Sequence, residues 1–419
     1  MRPEFRIFCI LLCLLCVTPV MQAQQTPVPA PASSGFNLTA EDLKDPRAVG
    51  NLETLCRVWG YVKYHHPVFC DTLCRVDIDS ALFALLPRVV HADRETRNRN
   101  LLDWVRSLGD YTPNRVDYEQ SLAPLELVST VDLTWTRDTT LLGCDLSHLL
   151  QDLRYAERGE NYYLRLGQPD QGPDYQYLSL RGESFYPTPQ MDSGLNLLLL
   201  FRLWNVIEYY APYRAITLHP WNEVLTTYIP LMGIETDGRC FARLYMRLIR
   251  ELNDGHAYAP IEMLFGQRML PVWPLQADGR LFVGHSDDRA LKRGDEVVAI
   301  DGEPISERLE LLREYASRSN EASLRQALRY YGLCTRRDTA EVVRRRAGAY
   351  DTLRVATVPY GSVSPPFTTR LSSCSRPSAC WPIRWVTSTP GHSPASTSPR
   401  SDRRCLARGH SSSTCAPTR

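Results

Sequence analysis

The sequence predicts an α+β protein in which a duplicated helical unit is followed by a β-rich module. A segment of 17 residues recurs 145 positions further on, and two glycine turns bracket a β-branched run near position 297. The 419-residue chain is 43% hydrophobic and 23% charged, with a formal net charge of +1. These values are typical of a globular chain of two or three domains and do not indicate nucleic-acid binding.

The first 23 residues predict an export signal. Arg2 and Arg6 accompany an unbroken apolar run of eleven residues, Ile7–Val17, and Ala23 supplies a small residue for cleavage. A membrane helix takes about 20 apolar residues, so this run is too short to span a bilayer. We therefore expect an exported protein, periplasmic or extracellular, with no stable membrane span after cleavage. An uncut N-terminal anchor is the alternative.

An internal repeat organises the first half of the chain. Residues 51–67 and 196–212 share Asn, Leu, Arg, Trp, Tyr and Pro at equal spacing, and each predicts one apolar face of an amphipathic helix. Similar helical patterns follow in both copies, so each copy is predicted to be three helices long. We expect the two units to pack through the faces that carry Trp59 and Trp204.

The β-rich module begins with a Gly-Asp turn, and Asp301-Gly302 makes the next turn. Ser306 is then placed to cap a helix on which Arg308 is exposed. The pattern resembles a PDZ domain, and such domains bind a peptide as an added strand. An unrelated hairpin is the alternative. We predict four residues that bind a polypeptide or C-terminal peptide: Gly294, Asp295, Val297 and Ile300.

His256 is the candidate catalytic residue. It follows Asp254-Gly255 at the end of the second repeat, where a turn places it at a loop edge. The first repeat has Thr112 at the equivalent position, so the helical scaffold does not require histidine there. A neutral imidazole suits a general base that activates a serine hydroxyl. A surface or capping histidine is the alternative.

Together these features resemble the C-terminal-processing (tail-specific) serine peptidase family, in particular its secreted, tricorn-core-like branch. The resemblance covers roughly residues 132–354 and rests on the order of four segments: LLLLFRLWNVIEYYAPY, RLIRELNDGHA, RGDEVVAIDGEPI and YASRSNEASLRQAL. It implies a helical cap and a PDZ-like module ahead of an α/β protease core, with no cofactor. It also implies that His256 is the base of a serine-type endopeptidase acting on exported polypeptides.

The chain departs from this family after residue 363. Residues 364–419 contain thirteen Ser, eight Arg and four Cys but one Asp, without helical or strand periodicity. A shift of reading frame or a disordered tail would each produce this composition. The glycine-rich oxyanion turn and the serine nucleophile of the family are not recognisable in the sequence. We therefore expect a chain of the peptidase family that is catalytically inactive. The alternative is a non-catalytic, PDZ-like module that binds peptides.

The cysteines leave two interpretations open. Export permits disulfides, and Cys70 and Cys74 form a plausible close pair, although the sequence cannot fix the connectivity. His65 and His66 precede them, so a metal site is the alternative, but the spacing matches no common zinc pattern. We therefore predict no metal site and favour a loop with a local disulfide or free thiols.

The domain boundaries follow from these patterns. We expect a signal peptide at 1–23, a linker at 24–50, helical repeat 1 at 51–112, a connector at 113–190, helical repeat 2 at 191–262, the PDZ-like module at 263–332, the start of a protease core at 333–363 and an aberrant or disordered tail at 364–419.

Overall fold

The computed structural model describes residues 33–70, 76–112, 131–167, 177–186, 192–211, 213–257, 259 and 261–363. This part of the chain combines helix and sheet, with a helical N-terminal part and a β-rich region over residues 267–359, and the predicted fold class is confirmed. The predicted signal peptide, Cys74 and the tail at 364–419 lie outside the described residues.

The first helical unit contains α1 (Pro46–His65), α2 (Ile78–Val89) and α3 (Arg94–Ser107). Each helix begins after an aspartate whose carboxylate accepts a backbone N–H of the first turn: Asp45, Asp77 and Asp93. The expected connector contributes structure of its own. It contains α4 (Thr139–Arg154), which packs on α1 and α3, and the paired strands β1 (Leu164–Gly167) and β2 (Tyr177–Leu180).

The second unit contains α5 (Ser193–Tyr210), α6 (Trp221–Met232) and α7 (Gly238–Arg250), and the short helix α8 (Glu262–Phe265) follows it. The residues shared by the repeats make equivalent contacts in both units. Trp59 Nε1 donates to the Ile78 carbonyl at 2.8 Å, and Trp204 Nε1 donates to the Trp221 carbonyl at 2.9 Å. Each tryptophan therefore fixes the first residue of the next helix.

The shared asparagines hold the other end of that second helix. The Asn51 amide donates to three carbonyls at the end of α2, and the Asn196 amide donates to Met232 and Glu235 at the end of α6. Both asparagines are buried, and each amide satisfies carbonyls that the helix end leaves without an intrahelical partner. The repeat in the sequence is thus a repeat of helix-end contacts.

The two units meet along α1 and α5. Gly60 of α1 faces Asn205 of α5, and a Cβ at position 60 would lie 1.9 Å from the Asn205 side chain. The Asn205 amide donates to the Cys56 carbonyl at 3.1 Å and to the Phe201 carbonyl at 2.9 Å. Glycine is needed at position 60 because the buried Asn205 side chain occupies the place that a Cβ would take.

A buried charge cluster joins the same helices to the segment after β2. The Arg202 guanidinium pairs with Asp79 and, at 2.9 Å, with Glu183, while Lys63 Nζ also binds Glu183. The Tyr186 hydroxyl donates to Asp79 Oδ2 at 2.9 Å. Burial raises the pKa of Glu183, but Arg202 and Lys63 outweigh it and hold that pKa below its usual range. The cluster contains two cations and two anions, so its charges compensate one another.

The β-rich region contains nine strands and two helices among the described residues. They are β3 (Arg268–Met269), β4 (Val272–Ala277), β5 (Arg280–Ser286), β6 (Glu296–Ile300), β7 (Glu303–Pro304), α9 (Ile305–Arg313), α10 (Glu321–Tyr331), β8 (Cys334–Thr335), β9 (Thr339–Arg346), β10 (Ala349–Ala356) and β11 (Val358–Pro359). The main sheet has the order β10-β9-β6-β5-β4, with β7 beside β6, and β11-β3-β8 forms a smaller sheet.

The last long strands of the main sheet come from the segment 333–363, which we predicted to be the start of a protease core. In the structure β9 pairs antiparallel with β6, from Glu296 opposite Arg345 to Ile300 opposite Val342. The long β9–β10 hairpin therefore completes the main sheet. A local strand pattern does not reveal its partner, because the partner lies about 45 residues earlier in the chain.

The structure also corrects the expected face of α9. Ser306 does not cap this helix, which begins at Ile305 after Pro304. Arg308 is 3% exposed, and its guanidinium lies over the Phe265 ring at 4.1 Å with Nε 3.2 Å from Glu303. The helix pattern alone indicated an exposed position, but α8 covers this side of α9.

Candidate functional site

The four residues predicted to bind peptide lie at the centre of the main sheet. Val297 and Ile300 are buried on β6, and β6 pairs with β5 and β7 as well as with β9. The Gly294 N–H is also engaged, since it donates to the Val283 carbonyl at 2.8 Å. Strand addition requires unpaired backbone groups, and this strand does not offer them.

Asp295 holds the sheet together instead of facing a ligand. Arg346 forms a fork on its carboxylate, with Nε 2.6 Å from Oδ1 and Nη2 2.7 Å from Oδ2, and Lys292 N–H also donates to it at 2.8 Å. Burial raises the pKa of this carboxyl, but these hydrogen bonds outweigh it and keep the pKa low. The charged form thus ties β9 to the turn before β6.

An edge strand with a helix beside it lies elsewhere in the module. Among the described strands β4 pairs with β5 alone, and α10 packs alongside β4. Trp273 of β4 meets the Tyr330 ring edge-on with centroids 5.3 Å apart, and the Arg329 guanidinium lies 5.4 Å from the Trp273 ring centroid. Leu275 on the same strand is 44% exposed. We call the surface between β4 and α10 the β4 groove.

The sequence contains a signal for this edge strand, although our prediction of the peptide-binding residues was based on the turns around β6. Proline cannot donate to a ladder and is found mainly in edge strands, and Pro274 lies within the apolar run VWPL. Asp278-Gly279, both at positive φ, then forms the tight turn into β5. Together they distinguish an edge hairpin from the central strand β6.

His256 lies in the loop after α7, where Asn253 adopts a positive φ of 51°. Its Nδ1 is 3.0 Å from Asp254 Oδ1, and its backbone N–H donates to the same oxygen at 2.9 Å. The side chain is 45% exposed. A carboxylate beside Nδ1 constrains the orientation of the imidazole ring.

Serine hydroxyls from the loop between α9 and α10 fix this histidine loop. Ser317 Oγ donates to the Asp254 carbonyl at 2.8 Å, and Ser319 Oγ accepts the Gly255 N–H at 2.7 Å. A Cβ on Gly255 would lie 3.0 Å from Ser323 Cβ, so the glycine permits the close approach. The YASRSNEASLRQAL segment thus packs against the Asp-Gly-His turn, a pairing that sequence order alone did not reveal.

The histidines beside the predicted disulfide are packed among aromatic rings. The His65 ring stacks on Tyr61 at 4.0 Å, and burial lowers its pKa to about 3. His66 is 1% exposed, its Nδ1 accepts the Val68 N–H at 3.2 Å, and burial lowers its pKa to about 4. Over the described residues, no three His, Cys, Asp or Glu side chains form a group that could hold a metal ion.

Residues 267–353 match the PDZ domain family. A comparison with curated proteins gives no match. Two solved structures with partial similarity are "Structure of mature CPAF complexed with lactacystin", at 18% identity over 39% of this chain, and "Crystal Structure of mature CPAF", at 17% identity over 40%. Each alignment covers 35% of the other chain, with a TM-score of 0.30. The chain therefore spans about a third of those proteins.

The helices in the described part of the chain do not include one that is both long and apolar enough to cross a membrane.

The described residues provide a PDZ-like module with an open edge strand, and a histidine loop fixed against that module.

Proposed function

We propose that this protein binds extended polypeptides by adding them as a strand to β4, with α10 forming the second wall of the site. The observation that carries the proposal is the unpaired edge of β4 beside α10, in a region that matches the PDZ domain family. In such domains, backbone hydrogen bonds to an edge strand provide affinity, and alternate side chains provide specificity. Leu275 and Trp273 would contact the apolar side chains of the peptide.

The finer part of the proposal concerns the peptidase family. The Asp-Gly-His loop and the PDZ-like module support the proposal that this chain is the peptide-docking part of a tail-specific serine peptidase, which acts on exported polypeptides. His256, oriented by Asp254, would be the base. Acyl transfer also needs a nucleophile and oxyanion donors, and the Ser317 and Ser319 hydroxyls are engaged by Asp254 and Gly255. Binding without cleavage is therefore the function proposed for this chain.

A binding experiment with one variant at each edge of the sheet tests the proposal. A fluorescent peptide with an apolar, free C-terminus is titrated with the wild type, Leu275→Asp and Tyr350→Asp, and fluorescence anisotropy is measured. Leu275 is on β4 and Tyr350, 64% exposed, is on β10 at the opposite edge. We expect Leu275→Asp to weaken binding roughly tenfold or more, because the charge would meet apolar side chains of the peptide.

Tyr350→Asp is the matched control and should bind like the wild type. Equal affinity of Leu275→Asp and the wild type would exclude the β4 groove as the binding site. Loss of binding in Tyr350→Asp alone would assign the site to β10 and contradict the proposal.

A further inference from the structure

A second surface, outside the β4 groove, combines apolar side chains with three arginines. A pocket of about 200 Å³ lies between α7, α8 and the segment after β8. Its apolar side chains are Ala242, Met246, Met263 and Leu264, and its charged side chains are Arg239, Arg243 and Arg336. We call this surface the arginine pocket. It contains no residue of β4 or α10.

The positive charges of the arginine pocket are not held in ion pairs among the described residues. Arg239 and Arg243 are exposed and lie four residues apart on α7, so they project from the same face of the helix. No ion pair within the described ranges involves Arg239, Arg243 or Arg336. Other exposed arginines, such as Arg247 with Glu314 at 2.8 Å, do have such partners.

One of the three arginines is fixed in place. Arg336 Nη2 donates to the Met263 carbonyl at 3.0 Å and to the Leu264 carbonyl at 2.8 Å. These bonds hold a guanidinium at the mouth of the pocket before any ligand binds, which lowers the entropy cost of binding an anion. Met263 beside it is 52% exposed, and methionine adapts its shape to different apolar partners.

We propose that the arginine pocket binds an acidic segment of a partner polypeptide, in which an apolar side chain is flanked by Asp or Glu. The apolar side chain would pack on the exposed Met263 and on Leu264, and the flanking carboxylates would accept hydrogen bonds from the arginines. The tail of this chain is a poor occupant, because residues 364–419 contain eight Arg and one Asp. This site requires no free C-terminus, so it is independent of the peptide capture proposed for β4.

The test uses peptides that are acetylated and amidated, so that terminal charges do not contribute. The probe is a fluorescent ten-residue peptide with Leu and Met between Asp and Glu residues, and anisotropy is measured at low salt. Two further peptides replace either the acids by Asn and Gln or the apolar residues by Ser. We expect the wild type to bind the probe at least about fivefold more tightly than either of these, because both kinds of contact contribute.

Protein variants locate the site. Arg243→Glu should weaken binding of the probe by about tenfold or more, since it replaces attraction with repulsion. Arg106→Glu reverses an exposed arginine of α3 that is outside the pocket, and it should bind like the wild type. Circular dichroism of both variants checks that the helices are intact.

Three results would overturn the proposal. Equal losses in Arg243→Glu and Arg106→Glu would indicate general attraction of anions to the surface. Equal binding of the Ser-substituted peptide would exclude the apolar contact. If the Leu275→Asp variant no longer binds the probe and the Arg243→Glu variant binds it like the wild type, the acidic peptide binds in the β4 groove.

Discussion

His66 shows how a single buried side chain links folding to pH. It is 1% exposed, and its pKa is about 4 instead of 6.5, because burial disfavours the imidazolium. Between these two values the unfolded chain binds a proton that the folded chain does not. Stability attributable to this residue is therefore present above about pH 6.5 and is lost as the pH falls towards 4.

We expect the free energy of unfolding to fall by up to about 1 kcal/mol per pH unit between pH 6.5 and 5 through this residue. Urea denaturation across this range measures the slope. His66→Asn should reduce it, whereas His148→Asn, at an exposed position of α4, should leave it unchanged. A slope that is the same in all three proteins would show that His66 does not titrate on unfolding.

Two charged residues that the sequence analysis singled out are buried in the structure. Asp295 was predicted to contact a peptide and Arg308 to face solvent, yet one binds Arg346 and the other lies over Phe265. A charged residue in a turn or on an amphipathic helix is usually solvated, so the pattern favours exposure. Each of these charges also contacts a residue that no local window contains: Arg346 lies about 50 residues from Asp295, and Phe265 lies about 40 residues from Arg308.

At the level of elements, the contact between α1 and α5 provides a direct test of the repeat. Gly50 and Gly60 lie in the same helix, but a Cβ would meet nothing within 4 Å at position 50 and would overlap Asn205 at position 60. Gly50→Ala should stabilise the protein by about 0.4–1 kcal/mol, because alanine restricts the unfolded chain. Gly60→Ala should destabilise it by about 1–3 kcal/mol, because the new methyl group would displace the buried, hydrogen-bonded side chain of Asn205.

Thermal and urea denaturation of the two variants measure these opposite changes. Because both substitutions have the same effect on helix propensity, their difference reports the packing of α1 against α5. Stabilisation by both would mean that the two units do not pack at Gly60.

The helical elements were also the easiest to predict. The repeated Asn and Trp mark helix ends in both units, since their side chains bind backbone carbonyls of the neighbouring helix. The strands were harder, because the sequence predicted β6 but not that β9 would occupy its second edge. Strand type is encoded locally, whereas strand order is set by which surfaces bury one another.

For the whole molecule, the decisive prediction is binding without cleavage. Purified residues 24–419 should not cleave a labelled unfolded protein, because the proposed base, His256 with Asp254, cannot transfer an acyl group without a nucleophile and an oxyanion site. The His256→Ala variant should likewise show no cleavage, and it should bind the peptide with the same affinity as the wild type. Turnover that a serine-reactive phosphonate abolishes would show that the chain holds a nucleophile.

The helical repeat, the β-rich module and the Asp-Gly-His turn could all be predicted from the amino acids alone, because helix periodicity, caps and tight turns depend on neighbours within a few residues. The edge strand, the buried charges and the arginines that have no ion pair among the described residues became apparent only in the folded chain. Those properties depend on contacts between distant segments: β9 closes β6, α8 covers Arg308, and the serines after α9 fix the loop of His256. We therefore propose the peptide site on β4 and not on β6, because tertiary pairing leaves β4 at the edge of the described sheet.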